Sequence, residues 1–104
     1  MSWRVQFAPE ARDQLQALLA YISEQTSVTV AERYTEAVIS TCEKLAWFPM
    51  RGVPRDDIRS GLRLTHHRRR TVIAYAVDEA SGTVSILGIF HGGQDHEAKL
   101  GSTA

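Results

Sequence analysis

The sequence has a single cysteine, Cys42, so no disulfide can form within the chain. Its place on a predicted helix fits a small buried apolar residue better than a reactive thiol. No run reaches the roughly 18 to 20 apolar residues that a membrane helix needs, and Met1-Ser2-Trp3-Arg4 leads into alternating residues instead of a signal peptide's apolar core. A cytoplasmic protein is expected. His66 and His67 stand side by side, but strand neighbours point to opposite faces and no Cys, Asp or Glu stands at ligand spacing, so neither a metal nor another cofactor is expected. Repeats, low-complexity tracts and linkers are missing too. With 104 residues and 43% hydrophobic content the chain fits one domain, read as residues 1–95 with a flexible tail over 96–104.

What is present is an uneven distribution of charge. The formal charge is +0, yet Arg51, Arg55, Arg59, Arg63, Arg68, Arg69 and Arg70 face only Asp56 and Asp57 within their stretch, a local balance of +5 against −5 elsewhere. This favours an acidic partner at one region over a general coat on nucleic acid.

Trp3, Val5 and Phe7 alternate with Arg4 and Gln6, the period of a strand with one buried face. Pro9 suits the first position of a helix, Glu10 and Asp13 favour its positive end, and Ala11, Leu15, Leu18, Leu19 and Ile22 recur at helical steps, predicting a helix over about 9–24. After a short turn at 25–27, Thr29 with Glu32 reads as a capping box. It opens a second helix over about 30–47, with Val30, Tyr34, Ala37, Val38, Thr41 and Leu45 as its apolar stripe. Two prolines and a glycine between Phe48 and Pro54 then impose an irregular connection. Residues 62–68, 70–78 and 83–91 read as three strands, the last two joined by a hairpin loop at 79–82 and apolar on both alternations, hence central. The chain beyond Gly92 is polar and expected to fray. Trp3, Trp47 and Phe48 read as core and helix-end packing. The fold class that follows is α+β, an N-terminal strand, an α-helical hairpin and a three-stranded antiparallel meander, with the helices packed on one face of the sheet.

Particular residues sharpen this. Val5-x-Phe7-x-x-x-Ala11-x-x-x-Leu15, Tyr21-Ile22, Ala31-x-x-Tyr34, Leu45-x-x-x-Pro49-x-x-Gly52 and Gly61-Leu62-Arg63 come first, followed by Val72-Ile73-Ala74-Tyr75-x-Val77 and Val84-x-Ile86-Leu87-x-Ile89-x-His91-x-x-x-Asp95. In this order and spacing, over nearly the whole chain, they resemble the RelE/ParE superfamily of bacterial toxins, most of all its ParE branch. The resemblance implies a toxin of a type II toxin–antitoxin system, neutralised by a ParD-like antitoxin that wraps a partly disordered segment across it. ParE-like members are associated with inhibition of DNA gyrase, whereas RelE-like members cut mRNA on the ribosome.

A metal-free ribonuclease needs basic groups and a positioned acid or base, and RelE-like chains resemble this with surface Lys and Arg and often a tyrosine near the C-terminus. Here the lysines are only Lys44 and Lys99, and the last tyrosine is Tyr75 in a predicted core strand. His91, His66 or His67 beside Arg63 keeps the endonuclease as the alternative. A further alternative is a relative without toxicity that serves only in antitoxin binding. Arg63, Thr65 and His67 share one strand face, which predicts a basic strip on the exposed side of the sheet; the bland reading of Arg68 and Arg69 is a solvated turn. His91 and Asp95 read as a loop histidine and a turn aspartate, and the resemblance places similar residues there. The candidates for target or antitoxin contact are therefore Arg63, His67, Arg68, Arg69, Arg70, His91 and Asp95, with no catalytic residue among them.

Overall fold

A computed structural model of the chain describes residues 2–92 and Leu100. Strand β1 (Arg4–Phe7) leads through Ala8 into helix α1 (Pro9–Gln25), with Pro9 at the position where a missing N–H costs nothing. At its other end the Thr26 N–H and hydroxyl both donate to the Ile22 carbonyl at 2.8 Å, which closes the helix. Helix α2 (Val28–Glu43) starts two residues earlier than the sequence pattern predicts, because Ser27, not Thr29, is its cap: the Ser27 hydroxyl accepts from the Val30 N–H at 3.2 Å. A 3-10 turn (Lys44–Ala46) completes what the sequence reads as one helix to residue 47.

The apolar stripe of α2 keeps Val38 and Leu45 buried and Tyr34 against the core as predicted, but its centre is shifted at the other positions. Ala31, Thr35, Val38 and Cys42 are buried, continued by Leu45, while Val30 is exposed. Ala31 is small enough to let the first turn approach its neighbours, and Thr35 turns its hydroxyl onto the Ala31 carbonyl at 2.9 Å, which hides its polarity. Cys42 is fully buried, and burial pushes its thiol up to about 12, so it packs as an apolar group.

The sheet contains β2 (Val53–Pro54), β3 (Leu62–His67), β4 (Thr71–Asp78) and β5 (Thr83–His91) besides β1, in the order β1-β5-β4-β3-β2. The meander is antiparallel as expected, and β1 lies parallel to β5 at one edge. The two-residue β2, in the segment read as irregular, forms the opposite edge, where Pro54 needs no ladder donor. Both faces of the sheet are covered, as the apolar alternations of β4 and β5 require. Ile73, Tyr75, Val84, Ile86 and Ile89 pack with both helices. Leu62, Leu64, Ala74 and Phe90 form a second cluster with Leu100 and the partly buried Ile58.

This two-sided burial corrects one expectation. Arg63 pairs with Tyr75, Thr65 with Ile73 and His67 with Thr71, so these β3 residues lie on the helix-covered face and form no exposed basic strip. A second correction concerns the aromatics after α2. Trp3 is packed against the main core, but Trp47 is 65% and Phe48 66% exposed. The chain turns away from the core at the end of the 3-10 segment and carries both side chains outward.

Candidate functional site

The candidate residues collect at one end of the sheet, where β3 turns into β4 and β5 ends. Arg68, Arg69 and Arg70 form the β3–β4 turn and all three are exposed. Arg68 takes a positive φ of 55°, a left-handed conformation that reverses the chain between His67 and Thr71. Directly beneath, Thr71 is fully buried, and its hydroxyl lies 2.7 Å from Tyr34 Oη and 2.9 Å from His91 Nδ1. A polar chain thus joins α2, β4 and β5.

A second link joins His67 to α2. The Thr41 hydroxyl donates to the Ala37 carbonyl at 3.0 Å, so at 2.7 Å it accepts from His67 Nδ1. This assignment leaves His67 Nε2 without a proton and, among the described residues, buried without a hydrogen-bond partner. The Tyr34 ring stands edge-on to both histidines, with centroids 5.4 Å from His67 and 5.6 Å from His91, and Tyr21 lies 6.2 Å from His91. Burial lowers the pKa of both histidines, assisted by Arg68 and Lys44 at His67 and by Arg70 at His91. Both imidazoles are therefore neutral near pH 7.

Beside this cluster lies a cavity of about 460 Å³, lined on α1 by Gln14, Ala17, Leu18 and Tyr21 and opposite by Arg70, Ile89, His91 and Gly92. Gln14 is fixed by accepting from the Ile89 N–H at 2.7 Å. Tyr21, Tyr34, Thr41 and Thr71 were not singled out by sequence reasoning as site residues. Tyr34 was visible only as part of a helical stripe, and its hydroxyl partner comes from a strand 37 residues away.

Arg63 sits apart from this group. Its Nη1 donates to the Met50 carbonyl at 3.1 Å and the Gly52 carbonyl at 2.7 Å, which makes it a support for the loop before β2. Arg55 likewise holds Asp57 through two contacts of 2.9 Å, and that pairing keeps the Asp57 carboxyl below its usual range. Of the sequence candidates, His67, Arg68, Arg69, Arg70 and His91 come together, Arg63 does not, and Asp95 lies outside the described residues, as does the tail over 96–104 apart from Leu100. Among the described residues no group of His, Cys, Asp and Glu has the arrangement of a metal site, and no helix is long and apolar enough to cross a membrane.

A family model described as the ParE toxin of the type II toxin–antitoxin system, parDE, matches residues 5–96. Among solved structures, a chain of the chromosomal ParDE system from P. aeruginosa superposes with a TM-score of 0.75 at 15% identity, covering 88% of this chain and 97% of that one. A chain of the toxin–antitoxin complex RelBE2 from Mycobacterium tuberculosis gives a TM-score of 0.64 at 23% identity, covering 88% and 99%. No curated protein sequence matches significantly. At these identities the two structures establish the shared fold, and the family match spans most of the sequence: the chain belongs to the ParE toxin family of type II toxin–antitoxin systems, within the RelE/ParE superfamily.

Proposed function

We propose that this toxin acts in the cytoplasm by binding DNA gyrase rather than by catalysis, with the Arg68–Arg70 turn as its principal contact, and that a ParD-like antitoxin neutralises it. The observation that carries the reading is the division of labour among the arginines. Arg63 is committed to backbone carbonyls, whereas Arg68, Arg69 and Arg70 are exposed on a tight turn anchored below by His67, Thr71 and the Arg70 carbonyl's bond from the Gly92 N–H at 2.9 Å. Three guanidinium groups on a fixed turn suit carboxylates or phosphates on a large partner surface. The fold that presents this turn is shared with the ParDE chain.

One observation favours the second reading, an mRNA endonuclease acting on the ribosome. Arg70, His91 and Tyr21 border one cavity, and a neutral imidazole beside a guanidinium is a base next to a phosphate anchor. Two parallel reactions test the pair: purified toxin with gyrase, relaxed plasmid and ATP, and purified toxin with translating ribosomes. Loss of supercoiling or trapped cleaved DNA with intact mRNA is expected, and cut mRNA beside an unaffected gyrase reaction overturns the proposal.

A further inference from the structure

The segment that runs from the end of the 3-10 turn into β2 exposes Trp47 and Phe48 at 65% and 66%, Met50 at 47% and Val53 at 64%. Four large apolar side chains within seven residues make a concentrated patch, and a shallow cavity of about 510 Å³ opens among Phe48, Pro49, Met50 and Arg51. The loop is nonetheless held firmly. Tyr75 Oη donates to the Pro49 carbonyl at 2.8 Å and accepts from the Gly52 N–H at 2.7 Å, and Arg63 binds the carbonyls of Met50 and Gly52. The buried Tyr75 and the half-buried Arg63 thus fix a backbone whose apolar side chains face solvent. A surface ordered before binding gives up little conformational entropy when a partner arrives.

We infer that Trp47, Phe48, Met50 and Val53 form a protein-docking surface distinct from the Arg68–Arg70 turn, and that its occupant is an antitoxin segment with apolar anchors flanked by carboxylates. The choice rests on charge. Arg51 lines the cavity and, with Lys44, is exposed beside the patch, whereas Glu43 is exposed next to Lys44 and Arg55 is already paired with Asp57. The Arg51 guanidinium at the edge of the cavity, with Lys44 near it, attracts an acidic amphipathic segment, which then buries the anchors. The two surfaces are built on different residues of β4: Tyr75, in the middle of the strand, lies under the loop, and Thr71, at its start, lies under the turn, roughly 13 Å away.

The inference rests on the antitoxin partnership and is tested on the full chain with the antitoxin encoded beside it. Trp47→Ala and Phe48→Glu should each weaken the complex about thirtyfold or more by calorimetry while leaving thermal unfolding unchanged, since both side chains are exposed. Hydrogen exchange supplies a readout free of any folding defect: in the wild-type chain, antitoxin should protect the backbone over 47–53. Variants that bind with wild-type affinity, or a loop left unprotected in the complex, overturn the inference. A wild-type chain that forms no complex overturns the partnership as well, and self-association abolished by Phe48→Glu overturns the choice of occupant.

Discussion

Tyr75 and Arg63 are cross-strand partners on the β3–β4 ladder, and both reach past the sheet to grip the same loop. Between them they hold the carbonyls of Pro49, Met50 and Gly52 and the N–H of Gly52. Burial raises the Tyr75 pKa, so its hydroxyl keeps its proton and remains a donor throughout the neutral range. Removing that hydroxyl leaves a buried N–H and a buried carbonyl unsatisfied. Tyr75→Phe should lower stability by about 1–3 kcal/mol, read as a lower urea midpoint at unchanged slope.

Gly52 is the point where the loop passes closest to that tyrosine. A Cβ there would lie 2.6 Å from Tyr75 Oη and 2.9 Å from the Leu64 carbonyl oxygen, and neither a buried ring nor a ladder strand yields easily. Gly52→Ala should therefore destabilise by about 1–3 kcal/mol, the usual range for overpacking, measured by denaturant unfolding.

Arg63→Leu separates support from recognition. Loss of its two carbonyl contacts should cost about 1–3 kcal/mol in the same unfolding measurement. An Arg63 that served only as a surface contact would leave the unfolding midpoint where it was.

The two histidines make stability depend on pH. Each has a folded pKa below its ordinary value of 6.5, so the unfolded chain binds more protons in the window just below that value. Their contribution is fully present above about pH 6.5 and is lost as pH falls toward the lowered folded values. The urea midpoint should drop between pH 7.5 and 5.5, and His67→Asn should reduce that drop.

Much of the framework was legible because it rests on local pattern. Residues 83–91 were read as a strand with the bounds that β5 has, and Pro9 marked the start of α1. Facing was harder to read. The alternation of β3 separates Arg63, Thr65 and His67 from Leu62, Leu64 and His66, but both sets are partly covered, and only the register against Tyr75 and Ile73 reveals which set meets the helices. Trp47 and Phe48 misled for the complementary reason. Apolar character predicts burial only where another element arrives to cover it, and among the described residues none does at the end of the 3-10 turn. The histidine cluster was invisible because its hydroxyl partners, Thr41 and Thr71, are 26 and 20 residues from the rings they touch.

The central claim, that the Arg68–Arg70 turn meets the target, is tested by reversing its charge. Arg68→Glu with Arg69→Glu and Arg70→Glu should leave the protein folded, since all three side chains are exposed. Titrated into a gyrase supercoiling reaction, this variant should need at least about tenfold more protein for half inhibition than the wild type, a loss of about 1.4 kcal/mol or more. Equal inhibition by the two proteins at every concentration would contradict the assignment of the turn as the contact surface.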